Sequence, residues 1–226
     1  MTPDTQAVIE NAIHTLVTEF REDPYRFFTE ADAVARFHQI LETDLTVDQN
    51  LVTLDGYKTS TLHQKYPTFF RFDDKNPIAR LDPDSRASRG HYDIVILNER
   101  FVRTHDVETV KNRDFRSIRD TSVPPLQAVV EFKLDDRGWS NGKRKGAIAE
   151  LGKLILSREE VELRYFVVLM RYTRTSERAW NKHWPDIMQS ATKNFEIKSI
   201  FATHRVQTKF TDVQSFGDWL AKYEEM

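Results

Sequence analysis

Leu126-Gln127-Ala128-Val129-Val130-Glu131-Phe132-Lys133-Leu134, directly after the Pro124-Pro125 breaker, is the stretch on which the reading of this chain turns. Its apolar, β-branched first half predicts a strand in a sheet covered on both faces. Side chains alternate along a strand, so Glu131 and Lys133 share one face and Phe132 takes the other. An acid and an amine therefore stand side by side where the strand leaves the core. Burying either alone is costly, and the pair is tolerable when the two neutralise each other or hold something between them. A plain ion pair at a strand end accounts for E-x-K taken by itself.

A second acidic strand adds to it. Gly90-His91-Tyr92-Asp93-Ile94-Val95-Ile96-Leu97 puts Asp93 directly before four apolar residues, at the mouth of another core strand. Asp93, then Glu131-Phe132-Lys133 at the end of the next apolar strand, resembles the signature of the PD-(D/E)xK nuclease superfamily, with its restriction-endonuclease-like fold. Tyr92 stands where the signature carries Pro. The resemblance runs from about Thr29 to Tyr172. It implies that Asp93 and Glu131 hold a divalent metal, Mg²⁺ or Mn²⁺, while Lys133 orients or polarises the attacking water. It also implies nucleic acid, DNA first, as the partner and phosphodiester hydrolysis as the activity.

Two further segments fit that pattern. A helix is predicted from Thr29 to about Glu42, with Thr29 as N-cap, Asp32 in a capping-box position and a stripe of Ala33, Val34, Phe37, Ile40 and Leu41. Glu30 falls on that stripe and points toward the sheet, whereas Asp32 points away. Interaction with the helix dipole is one account of Glu30; the resemblance implies the other, a third acid at the metal. The helix predicted from about Lys143 to Ser157 buries Ala147, Ile148, Leu151, Leu154 and Ile155. Its Glu150 and Lys153 form an i,i+3 pair of an ordinary surface helix or, as the resemblance implies, support the site. Before it, Asp135 to Gly146 gathers glycines with Lys143, Arg144 and Lys145, a solvated turn or a set of donors for phosphate.

At 226 residues the chain reads as one domain, residues 1–226, with a nuclease-like core at about 29–172, an N-terminal helix over 5–22 and a C-terminal addition over 175–226. Charged residues make up 30% and apolar ones 39%, the balance of a folded soluble protein. The net charge of −2 provides no global basic field, so nucleic-acid binding would rest on a local cleft. With no cysteine there is neither a disulfide nor a thiolate metal site, which suits a reducing cytoplasm. No stretch approaches the roughly 18 apolar residues of a membrane span. The seven His residues show no H-E-x-x-H spacing, and neither G-x-S-x-G nor G-x-G-x-x-G occurs.

The remaining elements fill in an α/β sandwich around a mixed central sheet flanked by helices, in a helix, three strands, helix, strand order. Thr5 to about Phe20 is an amphipathic helix that Pro24 ends. Asp44 to Ser60 is a loop or weak hairpin around Gly56. Leu62 to Phe72 is the first strand, with Pro67 arguing against full pairing on both sides. Asp73 to Arg89 reads as a surface loop, and Phe101 to Val123 as a charged flap, a short helical excursion over the cleft, or equally a disordered segment. Leu163 to Tyr172 is an apolar strand, joined to the Glu131 strand by a crossover helix and so parallel to it. Thr175 to about Thr192 is helical up to a break at Pro185, and its Trp180, His183 and Trp184 are set for core packing ahead of base stacking. Phe195 to Phe210 is a further strand and Val213 to Tyr223 a closing helix. The rival to a working hydrolase is a catalytically silent nuclease-like module that binds nucleic acid or protein. The oligomeric state, a homodimer included, is left open.

Overall fold

In the computed structural model, which describes residues 4–45, 50–73, 76–81, 89–112, 122–135, 141–171, 196–203 and 213–215, the first two helices form one layer over the sheet. Helix α1 (Thr5–Glu22) is capped by Asp4, whose carboxylate accepts from Gln6 N at 3.1 Å, and buries Val8, Ile9, Ala12, Ile13, Leu16, Val17 and Phe20. Helix α2 (Glu30–Asp44) starts with the predicted capping box: Thr29 N donates to Asp32 Oδ2 at 2.8 Å and Asp32 N to Thr29 Oγ1 at 3.2 Å. That box fixes the direction in which α2 leaves its cap, and with it the placement of Glu30. Arg36 ties the two helices, donating from Nε to Glu19 Oε2 at 2.9 Å.

Strands β1 (Leu51–Leu54) and β2 (Tyr57–Ser60) form an antiparallel hairpin apart from the main sheet. Its two-residue turn is Asp55-Gly56, both at positive φ (49° and 82°), the conformation that favours Asp-Gly there. Asp55 Oδ2 accepts from Val107 N at 2.9 Å and pins the turn to a later helix.

The main sheet contains β3 (Leu62–Asp73), β4 (Asn76–Leu81), β5 (Arg89–Leu97), β6 (Leu126–Asp135), β7 (Val161–Met170), β8 (Ile197–Thr203) and β9 (Val213–Ser215), in the order β4-β3-β5-β6-β7-β8-β9. The pairs β6/β7 and β7/β8 are parallel and the rest antiparallel, so the molecule is α/β with a mixed sheet. Between β5 and β6 lie two short helices, α3 (Glu99–Thr104) and α4 (Val107–Asn112), and between β6 and β7 runs α5 (Asn141–Leu156). Of the readings open for Phe101 to Val123, the short helical excursion is the one formed, as far as Asn112. Pro67 pairs with His91 of β5, while β4 meets β3 only from Arg71 onward, so the proline lies where β3 has a partner on one side.

Two expectations change. The segment from Asp73 to Arg89 is not wholly loop: Asn76–Leu81 is β4, at the end of the sheet order, where Pro77 needs no partner on its outer side. Val213–Ser215, read as the start of a helix, is β9, paired through Ala202↔Val213 with the otherwise open edge of β8. The strand predicted to run to Phe210 is formed over Ile197–Thr203. The helix predicted over 175–192, with Trp180, His183 and Trp184, and the rest of the closing helix lie outside the described residues.

Central strand β6 is buried on both faces, as its composition predicts. Ala128, Val130, Phe132 and Leu134 pack with Ile94, Ile96, Val167 and the α1/α2 layer. Val129 packs on the opposite side with Val95, Phe166, Val168 and Leu151 and Leu154 of α5. The rings of Phe37 and Phe132 meet edge-on, centroids 5.1 Å apart, and hold α2 against the strand. Among the described residues no helix is long and apolar enough to cross a membrane. Phe37 has no exposed surface. Phe37→Ala is expected to cost about 3–5 kcal/mol of stability, read as a fall in the urea midpoint at unchanged slope.

Candidate functional site

The Ile94↔Val130 pair is the last backbone match between β5 and β6, whereas β6 and β7 stay paired to Asp135↔Met170. Where the backbone ladder stops, a side chain takes over: Asp93 Oδ2 accepts from Phe132 N at 2.8 Å. The same register sets Asp93 beside Glu131. Asp93 is 3% exposed and Glu131 not exposed at all, so two acids meet in the interior.

Three lysines surround them. Lys153 of α5 brings its Nζ to 2.7 Å from Glu131 Oε1, contacts Glu150, and donates to the His91 carbonyl at 2.7 Å. The Glu131 contact has the distance of an ion pair but not the direction of a hydrogen bond, and both Glu131 oxygens are without a hydrogen-bond partner among the described residues. Lys133 donates to Glu30 Oε1 at 3.2 Å and Glu150 Oε1 at 3.3 Å, bridging α2 and α5 across the end of β6. Leu134 N also donates to Glu30 Oε2, at 3.4 Å. Lys65 of β3 contacts Asp93 Oδ1. Four carboxylates thus face three ammonium groups.

Burial decides the charge of Glu131. It pushes the carboxyl well above its ordinary 4.5; Lys153 opposes this, and the Glu150 and Asp93 charges add to it. For Lys153 burial works downward, but Glu131 and then Glu150 outweigh it, and the amine stays protonated. Lys133 behaves the same way: burial lowers its pKa, while Glu150, Glu30, Asp93 and Glu131 together raise it above the ordinary range. Burial raises Glu150 too, yet Lys153 and Lys133 carry it below the ordinary carboxylate value.

Glu30, Asp93, Glu131 and Lys133 all reach this end of the sheet. Glu30 does so through Lys133 and Leu134 rather than through the other acids, and among the described residues no three His, Cys, Asp or Glu side chains form a group that could hold a metal ion. Glu150 and Lys153 belong to the site and not to a solvated helix face: Lys153 is only 8% exposed. Lys143, Arg144 and Lys145 fall in the first turns of α5, and their side chains lie outside the described residues.

Two contributors escape the sequence pattern. Lys65 has φ +52°, left-handed for a residue with a side chain, and no local signal announces that. Arg171, just past β7 and buried, donates from Nε to Pro24 O at 2.8 Å and from Nη2 to Phe27 O, holding the turn that leads into Glu30. No protein-family model, curated protein or solved structure matches the chain. Fold and site together define an α/β protein with a buried carboxylate and ammonium cluster at its strand ends.

The raised pKa of Glu131 fixes a sign. The folded state prefers the protonated acid, so its contribution to stability is whole below 4.5 and drains away as pH climbs through the folded-state value. Gln keeps the shape and does not titrate. In metal-free buffer, the melting temperature of Glu131→Gln minus that of the wild type is expected to rise with pH from acid to neutral, and a flat difference would contradict a buried, titrating carboxyl.

Proposed function

We propose that this chain is a metal-dependent phosphodiester hydrolase acting on DNA, with Asp93 and Glu131 as the protein ligands of Mg²⁺ or Mn²⁺. The observation that carries the reading is the pair of fully buried Glu131 oxygens that accept no hydrogen bond among the described residues, next to a second buried acid. Their cationic neighbour is Lys153 Nζ, 2.7 Å from Oε1, and acceptors this deeply buried and this sparsely partnered suit a further cation. A hard divalent cation suits them, because Mg²⁺ takes one or two carboxylates and fills its other positions with water and phosphate oxygens. When bound, such a cation supplies Lewis-acid polarisation of the phosphate and a more acidic water.

The chain's own residues do the rest. Asp93 is held through Oδ2 by Phe132 N, which leaves Oδ1 to face the Lys65 ammonium. Lys133 remains an ammonium, since the surrounding acids outweigh its burial. It therefore acts as a donor that positions the attacking water or stabilises charge on the phosphate, and not as the base. Glu30 and Glu150 hold that ammonium at the strand end, and Lys153 keeps Glu131 from standing alone as a buried charge.

A second reading, a nuclease-like binding module without turnover, is favoured by the ammonium of Lys65 on Asp93 and by the lack of a three-acid group among the described residues. One assay separates them. Supercoiled plasmid, linear DNA and RNA are each incubated with Mg²⁺, Mn²⁺ or EDTA. Metal-dependent nicking is expected, with Glu131→Gln and Lys133→Ala each slowing it about 100-fold or more. Unchanged cleavage in either variant removes the residue roles, and an absence of both cleavage and Mn²⁺ binding heat selects the silent module.

A further inference from the structure

The β1–β2 hairpin, β3, β5 and α4 line a half-open cavity of about 390 Å³ that the proposed chemistry does not use. Small-molecule sites run from roughly 300 to 1,000 Å³, so the space suits one compact ligand. Leu54, Leu97, Val107 and Val110 give it apolar walls, and the half-buried His63 ring, 5.9 Å from the buried Tyr66 ring, adds a flat aromatic surface. Thr59 and Gln64 supply polar groups to the lining. A planar ring system with a polar edge fits such a lining better than a sugar or an alkyl chain.

Its position narrows the class further. Lys65 lines the cavity and its ammonium contacts Asp93, so the cavity adjoins the acid cluster directly. Leu54, Tyr66, Leu97 and Val110 belong to the core layer that also contains Val129 and Leu151, the side on which Lys153 of α5 meets Glu131. The backbone is bent to make this so. Leu62 packs with the opposite layer, and two-residue alternation would send Tyr66 there as well; the left-handed turn at Lys65 breaks the alternation and brings Tyr66 into the cavity wall.

We infer that this cavity receives one nucleobase of the substrate, beside the phosphate that Asp93 and Glu131 address. The inference rests on the hydrolase reading and narrows its substrate to single-stranded or locally unpaired nucleic acid, because a base in an intact duplex stack cannot enter a side pocket without being extruded. Stacking on an aromatic wall is sequence-tolerant, so no base identity is implied.

The test measures binding in EDTA, where the full-length chain does not cleave. Fluorescence anisotropy compares a labelled single-stranded DNA oligonucleotide, the same strand annealed to its complement, and a strand of the same length built from abasic sites. The base-bearing single strand is expected to bind about tenfold more tightly than either control. Thr59→Trp, which fills the cavity from the hairpin, and His63→Ala, which removes one ring, are each expected to abolish that preference. Thr59→Ser should retain it. Equal affinity for base-bearing and abasic strands, no binding of any strand, or a preference unchanged in both cavity variants overturns the inference. If the preference holds but neither the single strand nor the plasmid is cut with Mg²⁺ or Mn²⁺, the cavity stands and the hydrolase reading falls; cleavage without base dependence gives the reverse.

Discussion

A carboxylate with no exposed surface, Glu131, in the middle strand of the sheet is the constraint around which the neighbouring elements are arranged. Alone it would be intolerable as an anion, and a buried ion pair that loses one partner costs about 3–5 kcal/mol. Lys153 answers it from α5, but that lysine is itself nearly buried and must also be answered, which Glu150 and the His91 carbonyl do. Glu150 in turn meets Lys133, and Lys133 meets Glu30. A chain of alternating charges therefore runs from the core strand to the start of α2, and each member is tolerable because of the next.

That chain needs three elements to end at one place. The backbone ladder between β5 and β6 stops after Ile94↔Val130, which frees Phe132 N for the Asp93 carboxylate. The parallel β6–α5–β7 unit lays α5 along β6 so that Lys153 stands over Glu131. The capping box at Thr29 and the clamp of Arg171 on Pro24 and Phe27 set where α2 begins, and therefore where Glu30 points. Loss of any one of these would leave a charge without its neighbour, so packing and electrostatics are here one problem.

Much of this was legible in local pattern. Alternation along 126–134 placed Glu131 and Lys133 on one face, and helical periodicity placed Glu30 inward and Asp32 at the cap, because both depend on repeats that short-range geometry imposes. The short outer strand β4 was hidden by Pro77 and its polar neighbours: an edge strand is stabilised by pairing, not by an apolar pattern. The three residues of β9 likewise take their conformation from the edge of β8. Lys65 and Arg171 escaped for a deeper reason. The role of the first depends on a left-handed φ and that of the second on two carbonyls more than a hundred positions away, and neither leaves a trace in nearby sequence.

The lysines of the cluster are not equivalent, and their exposure ranks them. Lys65 has 60% of its side chain in solvent against 5% for Asp93, whereas Lys153 has 10% and touches Glu131, Glu150 and the His91 carbonyl. An ion pair with one partner so exposed contributes about 0–1 kcal/mol. Removing Lys153 would instead uncover Glu131. On the proposed hydrolase reading, a competing cation at Asp93 would therefore meet little resistance from Lys65 and would lie beside Glu131 oxygens that accept no hydrogen bond among the described residues. Lys65 both lines the cavity and contacts Asp93, so on that same reading ligand entry and ammonium departure would occur at one side chain.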